Sequence, residues 1–223
     1  MIEKDARLVV KNQLFMGLSE KDALGLLDTL DVHAASFAKD ELLVRLGEQV
    51  RGAGVVLEGT VAGEFYDEAG NVSMVSKFTT GQLFAEALAA SGMDSIVVVR
   101  AVTVCRVAWI DLAALFREQA FGEDAEHRAA LRAVAGNLVR MLSRKNVMLN
   151  TKMQILAQKR LRDRLRLYLA TRGDAPTPTR TELARYLSVD RSALSREIGR
   201  MADEGVIELH GREIKVVDPS FLR

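Results

Sequence analysis

Glycines at a regular interval divide the segment between about residues 36 and 110 into short pieces rich in Val, Leu, Phe and Thr. Four of them, separated by 12, 11 and 11 residues, are Gly47, Gly59, Gly70 and Gly81. Turn residues at that spacing are typical of the short antiparallel strands of a sandwich or barrel. Residues 67–71 predict a hairpin turn, and residues 95–110 predict one or two strands because they are rich in β-branched side chains.

Helical periodicity is found on both sides of this strand-like segment. In residues 1–30 apolar side chains recur every three or four residues, and Ser19 predicts a helix N-cap there. Between residues 131 and 155 apolar residues alternate in steps of three and four, which fits two interpretations equally well. The helix packs either on the core of its own chain or against a parallel copy of itself. The predicted seam of such a dimer contains Leu131, Val134, Leu138, Met141, Lys145 and Met148.

The distribution of charge along the chain changes the meaning of a net charge of only +1. Taken alone, that value argues against a nucleic-acid partner, because domains that bind nucleic acid usually carry a basic excess. Residues 151–223, however, hold 15 Lys and Arg against 10 Asp and Glu, whereas residues 1–150 hold 16 against 20. Ten basic residues and one acid lie between residues 140 and 172. We therefore expect an acidic part joined to a basic part, and the basic part is compatible with a nucleic-acid partner.

The last third of the chain carries the most specific pattern. Thr181 predicts the N-cap of a short helix over residues 182–186. Asp190 predicts the N-cap of a longer helix over residues 191–204, and the following Gly205 favours the left-handed conformation that ends a helix. A short helix, a tight turn and a longer helix together form a helix-turn-helix.

The residues after the longer helix alternate around Gly211, which predicts a hairpin, the wing of a winged helix-turn-helix. On the longer helix a polar face spans roughly 140° at about 100° per residue. This face lies at the N-terminal half, which reaches base edges in the major groove, where arginine bonds to guanine and serine allows close approach. The predicted DNA-binding residues are Arg180, Thr181, Arg191, Ser192, Ser195 and Arg196.

Taken together, the glycine-spaced strands, the long helix and the winged helix resemble the Crp–Fnr superfamily of transcription regulators over the whole chain. Residues 190–197, D-R-S-A-L-S-R-E, resemble the superfamily pattern S-R-E-T-V-x-R. The resemblance implies that Arg191 and Arg196 read bases. It also implies that Ser192 replaces a glutamate that reads the opposite strand, so the exact half-site does not follow from the resemblance.

The same resemblance implies an α+β fold of three parts. These are an N-terminal antiparallel β-roll over residues 1–118 (a cyclic-nucleotide-binding-like jelly roll that senses an effector), a long dimerisation helix over residues 119–150, and a C-terminal winged helix-turn-helix over residues 151–223. It further implies a homodimer that binds a palindromic operator in double-stranded DNA. An activator of this kind also contacts RNA polymerase, and no local signature distinguishes an activator from a repressor here.

In the nucleotide-binding members of the superfamily, a segment like G-D-F-I-G-E-L-G-L, followed by an arginine and a small hydroxyl residue, holds the sugar and the phosphate. Residues 81–89, GQLFAEALA, correspond to this segment, and the arginine position falls near Ser95. The neighbouring Arg100 aligns with a different arginine farther along the strand. Because a buried phosphodiester needs a cationic partner, the sequence disfavours cyclic AMP. The predicted effector pocket contains Leu83, Ala85 in place of a glycine, Glu86 at the position of the ribose-binding glutamate, Ala87, Ser95 and Ile96.

The effector itself stays open between several classes. The preferred interpretation is an unidentified small molecule, or none, and no cofactor is predicted. A cyclic-nucleotide-responsive or haem-responsive member is the alternative, with His33 and Cys105 as haem-ligand candidates by residue type only. An iron–sulfur cluster needs several cysteines, and the chain has one.

Catalysis, metal binding and membrane insertion are disfavoured by what the sequence lacks. The three histidines are scattered, and no common zinc, G-x-S-x-G or P-loop motif is present, so we expect no enzyme and no metal site. One cysteine and a charged N-terminus, unlike a signal peptide, favour the cytoplasm. Every run of ten residues contains a charge, so no membrane span is expected. A cupin-like metal enzyme and a ligand-binding module without DNA affinity are the remaining alternatives.

Overall fold

The chain divides into two compact units, Met1–Leu142 and Ser143–Arg223. Each unit has a buried apolar core of its own. One helix, Ala125–Ala157, crosses the boundary along the chain and supplies buried residues to both cores. The computed structural model describes residues 1–66, 72–117, 124–173, 176–218 and 221 of the 223.

The described residues of the first unit form eight strands in two four-stranded antiparallel sheets. The strands are β1 (His33–Phe37), β2 (Leu42–Val44), β3 (Gly52–Glu58), β4 (Thr60–Tyr66), β5 (Val72–Thr79), β6 (Leu83–Phe84), β7 (Val98–Ala101) and β8 (Cys105–Asp111). Their order is β1–β8–β3–β6 in one sheet and β2–β7–β4–β5 in the other. The predicted region of short antiparallel strands is therefore confirmed, as is the prediction of one or two strands in residues 95–110.

Strands β4 and β5 pair in antiparallel register from Thr60 opposite Thr79 to Tyr66 opposite Val72. This pairing confirms that a hairpin joins the two strands. The predicted turn itself, residues 67–71, lies outside the described residues.

Two glycines are required by close packing in the first unit. A Cβ on Gly54 would lie 2.2 Å from the ring of Phe84, which in turn packs edge-on against Trp109 with ring centroids 5.5 Å apart. Gly59 joins β3 to β4 with a φ of +82°, and a Cβ there would lie 2.3 Å from the carbonyl oxygen of Val104. Of the regularly spaced glycines, Gly59 is thus required by close backbone approach as well as by its positive φ.

Short helices complete the first unit: α1 (Glu3–Val10), α2 (Glu20–Gly25) and α3 (Glu86–Ser91). The predicted cap of α2 is confirmed, because the Ser19 hydroxyl accepts a hydrogen bond from the backbone N–H of Asp22 at 3.1 Å. Asp5 of α1 is 4% exposed and forms an ion pair with Arg106 of β8. This partly buried pair fixes α1 against the sheet that contains β8.

The second unit contains the C-terminal end of α4 (Ala125–Ala157), three further helices and a hairpin. The elements are α5 (Leu161–Thr171), α6 (Arg180–Tyr186), α7 (Arg191–Asp203), β9 (Ile207–His210) and β10 (Glu213–Val216). The largest buried side chains at its centre are Ile155, Leu165 and Leu183, with Leu194, Ile198 and Met201 of α7 beside them. Helix, turn, helix and hairpin follow one another as the sequence predicts.

The first helix of this motif begins two residues earlier than predicted, and the prediction that Thr181 caps it was wrong. Thr179 is the N-cap, because its hydroxyl accepts from the backbone N–H of Glu182 while the Glu182 carboxylate accepts from the backbone N–H of Thr179. Only Thr179 has a glutamate three residues later, which is the requirement of a capping box. Asp190 stands at the N-cap of α7, as predicted, without a side-chain capping bond.

A buried polar cluster holds the hairpin against the loop before α6. Thr177 is 2% exposed, and its backbone N–H and hydroxyl both donate to the Glu213 carboxylate. Arg172 donates to the Thr177 hydroxyl at 2.8 Å and to the carbonyl of Ile214 at 2.9 Å. The hydrogen bonds from Thr177, together with the charge of Arg172, lower the pKa of Glu213. The wing is thus attached by charge-assisted bonds as well as by Ile214 in the core.

Candidate functional site

Helix α7 presents opposite chemistry on its two faces. Leu194, Ile198 and Met201 are 0 to 2% exposed and pack in the core of the second unit. The predicted DNA-binding face lies in solvent at the N-terminal half of the helix and consists of Arg191, Ser192, Ser195 and Arg196. Because the buried stripe fixes the rotation of the helix, these four side chains must point outward together.

The start of α6 adds a second polar surface. Thr181 is exposed, whereas Arg180 is half-buried and its Nη1 atom has no hydrogen-bond partner in the described part of the chain. Loss of water around this guanidinium lowers its pKa. A buried cation without a counter-ion is destabilising, and an anion bound beside it would remove that penalty.

Two basic residues that sequence analysis missed lie near this surface. Arg185 on α6 and Arg212 beside the wing-tip residue Gly211 are both exposed. The pKa of Glu182 is lowered first by its hydrogen bonds with Thr179 and then by the charges of Arg185 and Arg212. Both arginines therefore lie close enough to the first turn of α6 to act on its glutamate. The only indication of this role in the sequence is that Arg212 directly follows Gly211, the glycine of the predicted hairpin turn.

The basic run between residues 140 and 172 is partly structural. Arg162 forms an ion pair with Glu204 through both terminal nitrogens. Arg164 donates to the carbonyls of Gln158 at 2.8 Å and Leu187 at 3.0 Å. With Arg172 held in the wing cluster, these arginines bind their own chain, and the exposed α7 face is the more specific indication of a DNA surface.

The six residues of the predicted effector pocket divide into a buried and an exposed group. Leu83, Glu86 and Ser95 are 8%, 4% and 2% exposed, whereas Ile96 is 65% exposed and Ala87 also lies in solvent. Ala85 stands between β6 and α3 with a φ of +59°, in the left-handed region. The Ser95 hydroxyl donates to the carbonyl of Val97 at 2.6 Å, so its proton is already used within the chain.

The nearest candidate for a phosphate-binding cation, Arg100, is engaged elsewhere. Its guanidinium donates to the Glu64 carboxylate at 3.1 Å, to the Tyr66 hydroxyl at 2.9 Å and to the carbonyl of Asp40 at 2.9 Å. The hydrogen bonds that it donates to Tyr66 and Glu64 raise its pKa. An anion at Ser95 would have to compete with a carboxylate for this side chain.

A cavity of about 810 Å³ opens at another place in the first unit. It is lined by Trp109, Arg51, Arg117 and Glu48, and by none of the six predicted pocket residues. Arg117 in this cavity pairs with Asp111 at 2.7 Å. This opening therefore differs from the site that the sequence indicates.

The candidate haem ligands are poorly suited to that role. Cys105 is 1% exposed, and burial raises the pKa of its thiol, which disfavours the thiolate that binds metals. His33 is exposed, and its Nδ1 lies 2.9 Å from the carbonyl oxygen of Asp31. In the described ranges, no three His, Cys, Asp or Glu side chains are grouped to hold a metal ion. Likewise, no helix described in the structure has the length and apolarity to cross a membrane.

Helix α4 uses the predicted dimer seam mainly within its own chain. Leu131, Val134 and Leu138 are 0 to 1% exposed and belong to the core of the first unit. Met141 packs partly against the same core, while Lys145 and Met148 are exposed. For the first half of the helix, the interpretation of packing on its own core is therefore correct.

A different strip of α4 is left uncovered. Val139, Leu149 and Met153 are 59%, 62% and 68% exposed. Together with Asn146 and the half-buried Leu142 and Leu156, they recur at alternating intervals of three and four residues along the helix. We name this strip the exposed seam; it consists of Val139, Leu142, Asn146, Leu149, Met153 and Leu156.

Comparison with known protein families assigns both units. Residues 34–121 match the model of the cyclic nucleotide-binding domain, and residues 159–223 match the model of the Crp-like helix-turn-helix domain. Together the two matches cover more than half of the chain. The chain belongs to the Crp–Fnr superfamily. Members of this superfamily are transcriptional regulators, and the match to the Crp-like helix-turn-helix domain includes residues 190–197, in agreement with the prediction from that segment.

Solved structures show the same fold along the whole Crp–Fnr chain. The catabolite activator protein of Thermus thermophilus is 19% identical, with a TM-score of 0.57 over 95% of this chain and 96% of that one. A putative cAMP-binding regulatory protein from Silicibacter pomeroyi is 22% identical, with a TM-score of 0.50 over 100% and 98%. The sensor domain of the regulator DNR from Pseudomonas aeruginosa is 17% identical, with a TM-score of 0.51 over 69% and 93%. None of the curated proteins compared with the chain matches it significantly in sequence.

The left-handed Ala85 of this Crp–Fnr chain leads to a stability prediction. Replacing Ala85 by Gly removes the Cβ strain of a positive φ, which costs about 1 to 2 kcal/mol, but adds chain entropy to the unfolded state. We expect Ala85→Gly to raise the free energy of unfolding by up to about 1 kcal/mol, measured by urea denaturation followed by tryptophan fluorescence of Trp109.

The matched control is Ala87→Gly, two residues further on and inside α3. There the alanine is helical, so glycine should lower the free energy of unfolding by about 1 kcal/mol. Destabilisation of equal size by both substitutions would contradict the assignment of strain to Ala85.

Proposed function

We propose that this regulator is a homodimer that binds an inverted-repeat DNA site and reads each half-site with α7. The observation that carries the proposal is the outward face of Arg191, Ser192, Ser195 and Arg196 on a helix whose other face is core. Arginine in the major groove bonds to O6 and N7 of guanine, which is the commonest specific contact to a base. Arg180, Thr181, Arg185 and Arg212 are assigned to the flanking phosphates.

The exposed seam supports the dimer. Apolar residues that recur every 3.5 residues pack best against a second helix with the same repeat. Two copies related by a two-fold axis would present two α7 helices to successive major grooves, which are about 34 Å apart in B-DNA. A palindromic site is the sequence counterpart of that symmetry.

We further propose that the β-roll responds to an effector other than a cyclic nucleotide. The match to the cyclic nucleotide-binding domain favours a cyclic nucleotide as the effector. The choice between the two effector classes therefore depends on whether the pocket can hold the phosphate of the nucleotide. Ser95 and Ile96 stand where a cation and a hydroxyl residue are needed, and Arg100 is bound to Glu64. Burying a phosphodiester there without a cation is expensive.

The DNA proposal is tested by selecting bound duplexes from a random pool with the purified full chain. We expect a palindromic consensus. Arg191→Ala should relax the preference at one base position in each half-site, at a cost of about 1 to 3 kcal/mol.

The control is Arg200→Ala, an exposed arginine of the last turn of α7 that pairs with Glu197 at 3.3 Å. It should leave the consensus unchanged. Recovery of no palindrome, with or without cell extract, would refute the proposal, as would equal effects of the two substitutions on base preference.

Arg180 gives a prediction with two independent readouts. Replacing it by Met keeps the length of the side chain but removes a partly buried charge, so the free energy of unfolding without DNA should stay equal or rise. Affinity should fall uniformly for all DNA sequences, with a salt slope reduced by about 1, because one phosphate contact is lost. A loss of stability with unchanged DNA affinity would assign Arg180 a purely structural role.

The effector proposal is tested by thermal denaturation with cyclic AMP, cyclic GMP, haem and small organic acids. A ligand at a hundredfold excess over its Kd adds about 2.7 kcal/mol of stability, which shifts Tm by several degrees. We expect no shift with millimolar cyclic AMP or cyclic GMP. A shift of that size with either nucleotide would overturn the assignment of Ser95 and Ile96.

A further inference from the structure

Asn146 is the one polar residue in the exposed seam, and it stands at its centre. When the seam is assigned to a heptad, Val139, Asn146 and Met153 occupy the a positions. Leu142, Leu149 and Leu156 occupy the d positions. Leucine at d with a β-branched or polar residue at a is the pattern of parallel two-stranded coiled coils. The spacing therefore points to a second copy of the same helix as the partner that packs against the exposed seam.

In a parallel dimer, a positions face a positions, so the two copies of Asn146 meet across the axis. The Nδ2 of Asn150 donates to the Oδ1 of Asn146 at 2.7 Å, which fixes the orientation of the amide within each chain. That bond uses one lone pair of the oxygen. It leaves the second lone pair and the amide N–H groups of Asn146 to pair with the other copy.

Any other arrangement of the two helices leaves this amide without a partner. A shift by one heptad, about 10 Å along the axis, places Asn146 opposite Val139 or Met153. An antiparallel arrangement places it among leucines. Leaving a buried amide unpaired costs about 1 to 3 kcal/mol per group.

Charged side chains beside the exposed seam do not select one orientation or register of the two helices. The positions directly before the a residues carry Leu138, Lys145 and Lys152, and those directly after the d residues carry Ser143, Asn150 and Ala157. No acidic residue is present there to pair with the lysines. Register therefore depends on the amide.

We propose that the Asn146 pair sets the parallel orientation and the register of the dimer, at the expense of dimer affinity. The inference rests on the proposed dimerisation through α4. Its consequence for function is the equal placement of the two chains that an inverted repeat requires.

The test uses the full chain with Arg144, exposed on the far side of α4, replaced by a spin-labelled cysteine; Cys105 is buried and is not labelled. Distances between the spin labels are measured by pulsed electron paramagnetic resonance, and the dimer dissociation constant is measured by sedimentation in an analytical ultracentrifuge. The unmodified seam should give a dimer with one narrow distance. Asn146→Val should lower the dissociation constant at least tenfold and add a second distance from shifted or antiparallel pairs.

The control is Gln154→Val, the same type of change at an exposed position of α4 outside the seam. It should leave both the distance and the dissociation constant unchanged. A single narrow distance in Asn146→Val would overturn the register role while leaving the dimer intact. A parent chain that stays monomeric at every concentration would overturn the proposed dimer and this inference together.

Discussion

Helix α4 supplies side chains to the cores of both units and also carries the exposed seam. The proposed dimer depends on which of its side chains lie on each of these three surfaces. Near its N-terminus Leu131, Val134 and Leu138 close the core of the first unit, and near its C-terminus Ile155 enters the core of the second. Each such leucine contributes roughly 1.5 to 3 kcal/mol by burial. These contacts fix the rotation of the helix, and they leave Val139, Asn146, Leu149 and Met153 of the exposed seam in solvent.

The sequence predicts the local structure correctly where a segment carries a single periodic pattern. The buried stripe of α7, its outward arginines, the cap at Ser19 and the antiparallel strands follow from local patterns that the tertiary structure does not override. Where two patterns overlap, the sequence leaves two interpretations open. On α4 the steps of three and four from Leu131 and those from Val139 are both regular, and only the packing of the β-roll decides which strip is internal.

Other differences have equally local causes. Thr179 and Thr181 both lie at the start of α6, and the choice of N-cap between them depends on the reciprocal bond with Glu182. The excess of arginine before residue 172 suggested phosphate contacts, yet Arg162 and Arg164 are used to pair with Glu204 and with backbone carbonyls. Arg212 was missed because a wing-tip residue gains its role from its position beside α6, which no single segment reveals.

We propose that two chains of this regulator act together on one symmetric DNA site. The most direct measurement is the mass of the complex between the full chain and a selected duplex, by native mass spectrometry at saturation. A dimer on an inverted repeat gives two chains per palindromic duplex, and marked loss of binding when one half-site is scrambled. One chain per duplex at saturation, with equal affinity for the intact and half-scrambled sites, would contradict it.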